Sequence, residues 1–90
     1  MNGTTCKYFL NDTLKNIIDR AIQLNSEKNK DEFKEGLIAG YYHVLSHIFN
    51  QIEIFEIIYD LDEYLKNFDP DDLLTGKAKS PFKKEEQDDN

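Results

Sequence analysis

Apolar residues recur along the first third of the chain with the period of an α-helix. Leu10, Leu14, Ile17, Ala21 and Leu24 follow one another at steps of 4, 3, 4 and 3, and Ile18 and Ile22 widen the stripe. At 3.6 residues per turn this spacing gathers the side chains on one face. Asp12, Lys15, Asp19, Arg20 and Gln23 take the opposite side. The pattern predicts a helix over residues 6–26, started by Thr4 or Thr5, with Asn11 as a later alternative cap. Residues 25–30 contain nothing apolar and read as a helix end and a short polar turn.

A stronger repeat follows. Phe33, Leu37, Tyr41, Val44, Ile48, Ile52 and Phe55 are spaced 4, 4, 3, 4, 4 and 3 apart, and neither proline interrupts them. They predict a helix over residues 31–55, roughly 35 Å long. Asp31, or Asn29 with Glu32 three residues later, supplies its N-cap. Ile38, Tyr42, Leu45 and Phe49 lie beside this stripe, so the apolar positions sweep about 180° of the circumference.

Beyond Phe55 the signals are short. Asp60 and Glu63 have capping-box spacing ahead of a turn with Tyr64 and Leu65. Asp69-Pro70 reads as an N-cap and first helical residue, Leu73 and Leu74 give that turn something to bury, and Gly76 is a C-cap candidate. From Lys77 the chain is polar and charged. Residues 1–76 therefore read as a single helical domain and residues 77–90 as a disordered tail.

These elements predict an all-α fold: an antiparallel two-helix hairpin plus one or two short C-terminal helical turns. One partner helix covers only part of a 180° face. Either the C-terminal segment covers the remainder, or two hairpins pair as a four-helix bundle. The second expectation places a homodimer or higher oligomer on Tyr41, Tyr42, Leu45, Phe49 and Ile52. A chain of 90 residues buries a modest core, which favours association.

Charge narrows the partners. The formal net charge is −7, and it resides in residues 1–76, with 7 Lys/Arg against 14 Asp/Glu. An acidic body repels phosphate backbones and anionic membrane surfaces, so neither nucleic acid nor membrane is expected. It suits a basic partner protein. No apolar run approaches the ~18 residues of a spanning helix, and the N-terminus lacks a signal-peptide pattern, so a cytoplasmic location is expected. Cys6 is the single cysteine and can form no intrachain disulfide.

Candidate chemistry is sparse. His43 and His47 share a helical face at metal-chelating spacing, but Val44 stands where a metalloprotease motif has Glu, and no third ligand is spaced with them. The simpler reading puts both at the edge of an interface. Ser46 lies in mid-helix, without the sharp turn and oxyanion hole a nucleophile uses. The acids Asp60, Asp62, Glu63, Asp69, Asp71 and Asp72 fit no EF-hand register, since Leu65 or Leu74 falls where glycine is required. Gly36 and Gly40, with His43, His47, Asn50 and Gln51, make a small and polar stripe, a second candidate contact surface. No catalytic residue and no cofactor is expected.

The run Gly36-Leu37-Ile38-Ala39-Gly40-Tyr41-Tyr42-His43-Val44-Leu45-Ser46, with Gln51 and Phe55 and then Asp69-Pro70-Asp71-Asp72-Leu73-Leu74, resembles a family of small uncharacterised bacterial helical proteins. The resemblance covers residues 32–74. It implies a short helical protein and carries over no activity. The chain departs from that pattern at Gly40, where alanine is expected, and at Glu56, where glycine is expected; loss of that glycine predicts a second helix running past Phe55. The function expected from these features is a protein–protein interaction or accessory and regulatory role, not an enzyme. The alternative is a metal- or ligand-binding bundle using His43 and His47.

Overall fold

The computed structural model describes residues 3–29 and 31–82. Two long helices, α1 (Gly3–Asn25) and α2 (Glu32–Ile54), pack against each other. The link between them is short, which makes them antiparallel neighbours. A 3-10 turn (Ile57–Asp60) and two short helices, α3 (Glu63–Lys66) and α4 (Asp71–Thr75), follow. No strand occurs among the described residues.

The ends of these elements follow local chemistry. α1 begins ahead of the expected caps, so Thr4, Thr5 and Asn11 all lie within it. Asp31 caps α2, its carboxylate accepting from the backbone N–H of Lys34 at 2.9 Å. The predicted extension past Phe55 does not occur. Glu56 adopts φ +60°, a left-handed conformation that glycine takes at no steric cost. The Phe55 N–H bonds the Gln51 carbonyl at 2.9 Å, and the chain then turns into the 3-10 segment.

In the C-terminal segment the expected cap moves by two residues. Asp62 caps α3, accepting from the N–H of Leu65 at 3.1 Å, while Asp60 closes the 3-10 turn. Asp69 accepts from the N–H of Asp71 at 3.0 Å, and Pro70 is already in helical geometry. Gly76, at φ +80°, ends α4, and the N–H groups of Lys77 and Ala78 both return to the carbonyl of Asp72.

The core takes three residues from each of three sources. They are Leu14, Ile18 and Ala21 of α1, Ile38, Leu45 and Ile52 of α2, and Leu61, Leu65 and Leu73 of the C-terminal segment. That segment lies along one side of the hairpin and touches both helices. Side chains of α1 bind it by hydrogen bonds. Asn11 donates to the Asp60 carbonyl at 3.1 Å and accepts from the Asp62 N–H at 2.7 Å. Asn25 donates to the Leu73 carbonyl at 2.8 Å.

The tail boundary expected at Lys77 is corrected for its first six residues. Ala78 packs against the core, Tyr64 donates to the Lys79 carbonyl at 2.5 Å, and Ser80 donates to Asp19 at 2.7 Å. A polar sequence is held here because its backbone and hydroxyl groups find partners on the folded body. The rest of that tail, residues 83–90, lies outside the described residues.

Candidate interaction surface

The wide apolar face of α2 divides into two halves. Ile38, Leu45 and Ile52, seven residues apart, point into the core, and Leu45 is fully buried. On one flank of that row the C-terminal segment closes over the helix. Phe68 sets its ring against Phe49 at 5.5 Å, and Tyr64 stacks on Phe68 at 6.0 Å. The carboxylate of Asp71 engages the hydroxyl of Tyr42 and raises its pKa, an effect that the Ser46 hydroxyl partly opposes. Burial is the main cause that pushes Tyr64 up to about 12, with the nearby carboxylates Asp19, Asp62 and Asp72 adding to it.

This arrangement engages most of the residues expected at a dimer contact within the chain itself. Leu45 and Ile52 belong to the chain's own core, and Tyr42 and Phe49 face the C-terminal segment, so four of the five residues are engaged within one chain. The cover was the alternative that sequence left open. Tyr41, the fifth, is half-buried at the boundary with the other flank.

The other flank is bare. Phe33 is 73 % exposed, Val44 54 % and Phe55 67 %; Leu37 is also exposed and Ile48 half-buried. At about 100° per residue these positions form one row running the length of α2. The adjoining flank of α1 carries Leu10, Ile17 and Leu24, all half-buried. Together they make an apolar face on the flank opposite Tyr42 and Phe49, bordered at its Leu10 end by Ile57 and Asp60. The carboxylates of the two helices, Asp12, Asp19, Glu32, Glu35 and Glu53, fall about 100° or more around their helices from the residues of this face, Glu32 beside Phe33 being the nearest. A chain of net charge −7 thus keeps the middle of this face clear of helix carboxylates, with Asp31, Glu32 and Glu56 at its ends.

The remaining candidates from the sequence do not converge. His43 and His47 are both exposed on the outer side of α2, and His43 meets the Tyr42 ring edge-on at 5.4 Å. No group of three or more His, Cys, Asp or Glu residues able to hold a metal occurs among the described residues. Gly36 and Gly40 border open space, with no atom within 4 Å of where a Cβ would stand. Cys6 is exposed. Of the acids of residues 60–72, Asp62 and Asp69 accept capping bonds, and two pair with lysines, Asp62 with Lys15 at 2.6 Å and Asp60 with Lys7 at 3.9 Å. Those pairs line an open groove of about 780 Å³ between the start of α1 and the 3-10 turn, beside the exposed rings of Tyr8 and Tyr59. Its lysines face carboxylates already paired with them, which leaves no converging set of free polar groups to fix a ligand. Among the described residues, no helix is long and apolar enough to cross a membrane.

No family model, curated protein or solved structure matches this chain. Its surface chemistry is therefore the ground on which a function is argued.

Proposed function

We propose that this protein is a protein–protein interaction module, an accessory or regulatory chain whose contact surface is the open face of its helical hairpin. The observation that carries this reading is the row Phe33, Leu37, Val44 and Phe55. It lies exposed along a helix whose opposite flank is covered by the chain itself. Contiguous exposed apolar surface of this kind costs solubility unless something docks on it. Helix faces with anchors three, four and seven residues apart are a recurring recognition mode. A partner that read the acidic character of the chain would instead bind the far side of the helices, where the carboxylates lie.

A photo-crosslinking residue at position 44, and another at Glu63 on the covering segment, test this in the cell that makes the protein. Covalent protein adducts from position 44 and none from position 63 are expected. Adducts from position 63 alone would end the proposal in favour of an acidic docking surface.

A further inference from the structure

We infer that the occupant of the open face is a second copy of the chain, docked antiparallel so that two hairpins form a four-helix bundle. This rests on the reading of that face as a contact surface and names the partner.

Three features point to self-association. The first is symmetry in the spacing. Phe33 and Phe55 each stand eleven residues from Val44, and eleven residues are about three turns of helix. All three side chains are more than half exposed. A two-fold axis running across the helices at Val44 puts Val44 against its own copy and Phe33 level with Phe55 of the second chain. The same operator has a counterpart on α1. Leu10 and Leu24 each stand seven residues, about two turns, from Ile17. Counting back from Asn25 and forward from Glu32, Ile17 and Val44 lie within about a turn of the same height. A single axis across both helices, as an isologous interface requires, passes within about 6 Å of both residues.

The second feature is charge. Two copies of a −7 chain repel wherever their carboxylates meet, and around Val44 and Ile17 this face presents none, the nearest being Glu32 and Glu56 at its ends. The third is size. The row from Phe33 to Phe55 spans about 33 Å, and two helices side by side are about 20 Å wide, a footprint of about 600 Å² per copy. Doubled, that reaches the lower bound of specific interfaces, about 1,200 Å² in total, and fits a dimer of micromolar affinity.

Sedimentation of the purified full chain tests the inference. At about 50 µM a species twice the 10.6 kDa chain is expected. Val44→Asp, which sets two like charges on the axis, should weaken the dimer by about tenfold or more without altering the far-UV circular dichroism. In a Cys6→Ser background, Val44→Cys should oxidise to a linked dimer, whereas His43→Cys on the outer side should not. A 10.6 kDa species throughout the micromolar range, or a dimer indifferent to Val44→Asp, overturns the inference. Crosslinking at position 44 keeps the two readings apart. An adduct of two identical chains supports self-association. An adduct with a different protein, from a chain that sediments as a monomer, leaves the contact surface standing and removes the second copy.

Discussion

The two flanks of α2 have similar composition and opposite fates. One bears Tyr42 and Phe49, the other Phe33, Leu37, Val44 and Phe55, and hydrophobicity alone does not separate them. The difference lies in what the neighbouring elements offer. On the covered flank α1 supplies Asn11 and Asn25, whose amides hold backbone groups at 60, 62 and 73 and so fix the segment that brings Leu61, Leu65, Phe68 and Leu73 over the helix. On the open flank the neighbouring residues of α1 are Leu10, Ile17 and Leu24, which have nothing with which to anchor a loop. Apolar area drives burial, and polar side chains on one flank, Asn11 and Asn25 among them, hold the segment that buries that half within the chain.

The contrast is broken most directly by truncation on each side. Leu65→Ala, in the fully buried cover, should lower stability by about 3 kcal/mol in urea denaturation. Val44→Ala on the open flank should change the isolated chain by no more than about 0.5 kcal/mol at low concentration. Equal effects would mean the cover is not part of the core. Next in size is the anchor. Asn11→Ala removes both bonds to the 3-10 turn and its exit, and a loss of about 1–2 kcal/mol is expected, with amide exchange accelerated in residues 57–66 and little changed in the middle of α2.

Glu56→Gly addresses the hinge between hairpin and cover. Glutamate there holds a left-handed backbone that costs an L-residue about 1–2 kcal/mol, offset in part by the greater chain entropy of glycine. A net gain of about 0.5–1 kcal/mol is expected, read as a higher denaturation midpoint at unchanged slope. The smallest effect is alkaline. Tyr64, with its pKa raised to about 12 in the fold against about 10 in the unfolded chain, imposes no pH dependence below about 9. Between those values the unfolded chain releases the proton more readily, so stability falls as pH rises. Tyr64→Phe should flatten that slope in pH-dependent melts.

Much of this architecture is legible in the sequence where a repeat is long or a cap is chemically distinctive. The steps from Leu10 to Leu24 and from Phe33 to Phe55 mark both long helices, and Asp31 and Gly76 act as a cap and a stop. The division of α2 into a covered and an open flank is not legible, because a 180° apolar sweep is compatible with burial from either side. Leu61, Leu65, Phe68 and Leu73 are too few and too irregularly spaced to declare which side they would seek. Asn11 reads as an alternative cap and Asn25 as part of a polar helix end, since a side chain that bonds a backbone 48 or 51 residues away leaves no local pattern. Glu56 misleads for a different reason. A helix ends there through backbone geometry that glutamate disfavours, and only the resemblance to a pattern with glycine hinted at a stop. The tail from Lys77 to Phe82 is polar by composition, and its hold comes from single contacts such as Ser80 with Asp19, 61 residues apart.

Those long separations also set the order in which the molecule is assembled. A ribosome releases residues 3–54 before 57–82, so the hairpin emerges with both flanks of α2 bare and the anchoring amides of Asn11 and Asn25 waiting for partners not yet made. Local pairing of α1 with α2 closes a short loop and is quick, whereas the cover must span about fifty residues to reach its bonds. For that interval the nascent chain displays twice the apolar width of the finished one. The rings that end on Phe68 and those that stay exposed compete then for the same encounters.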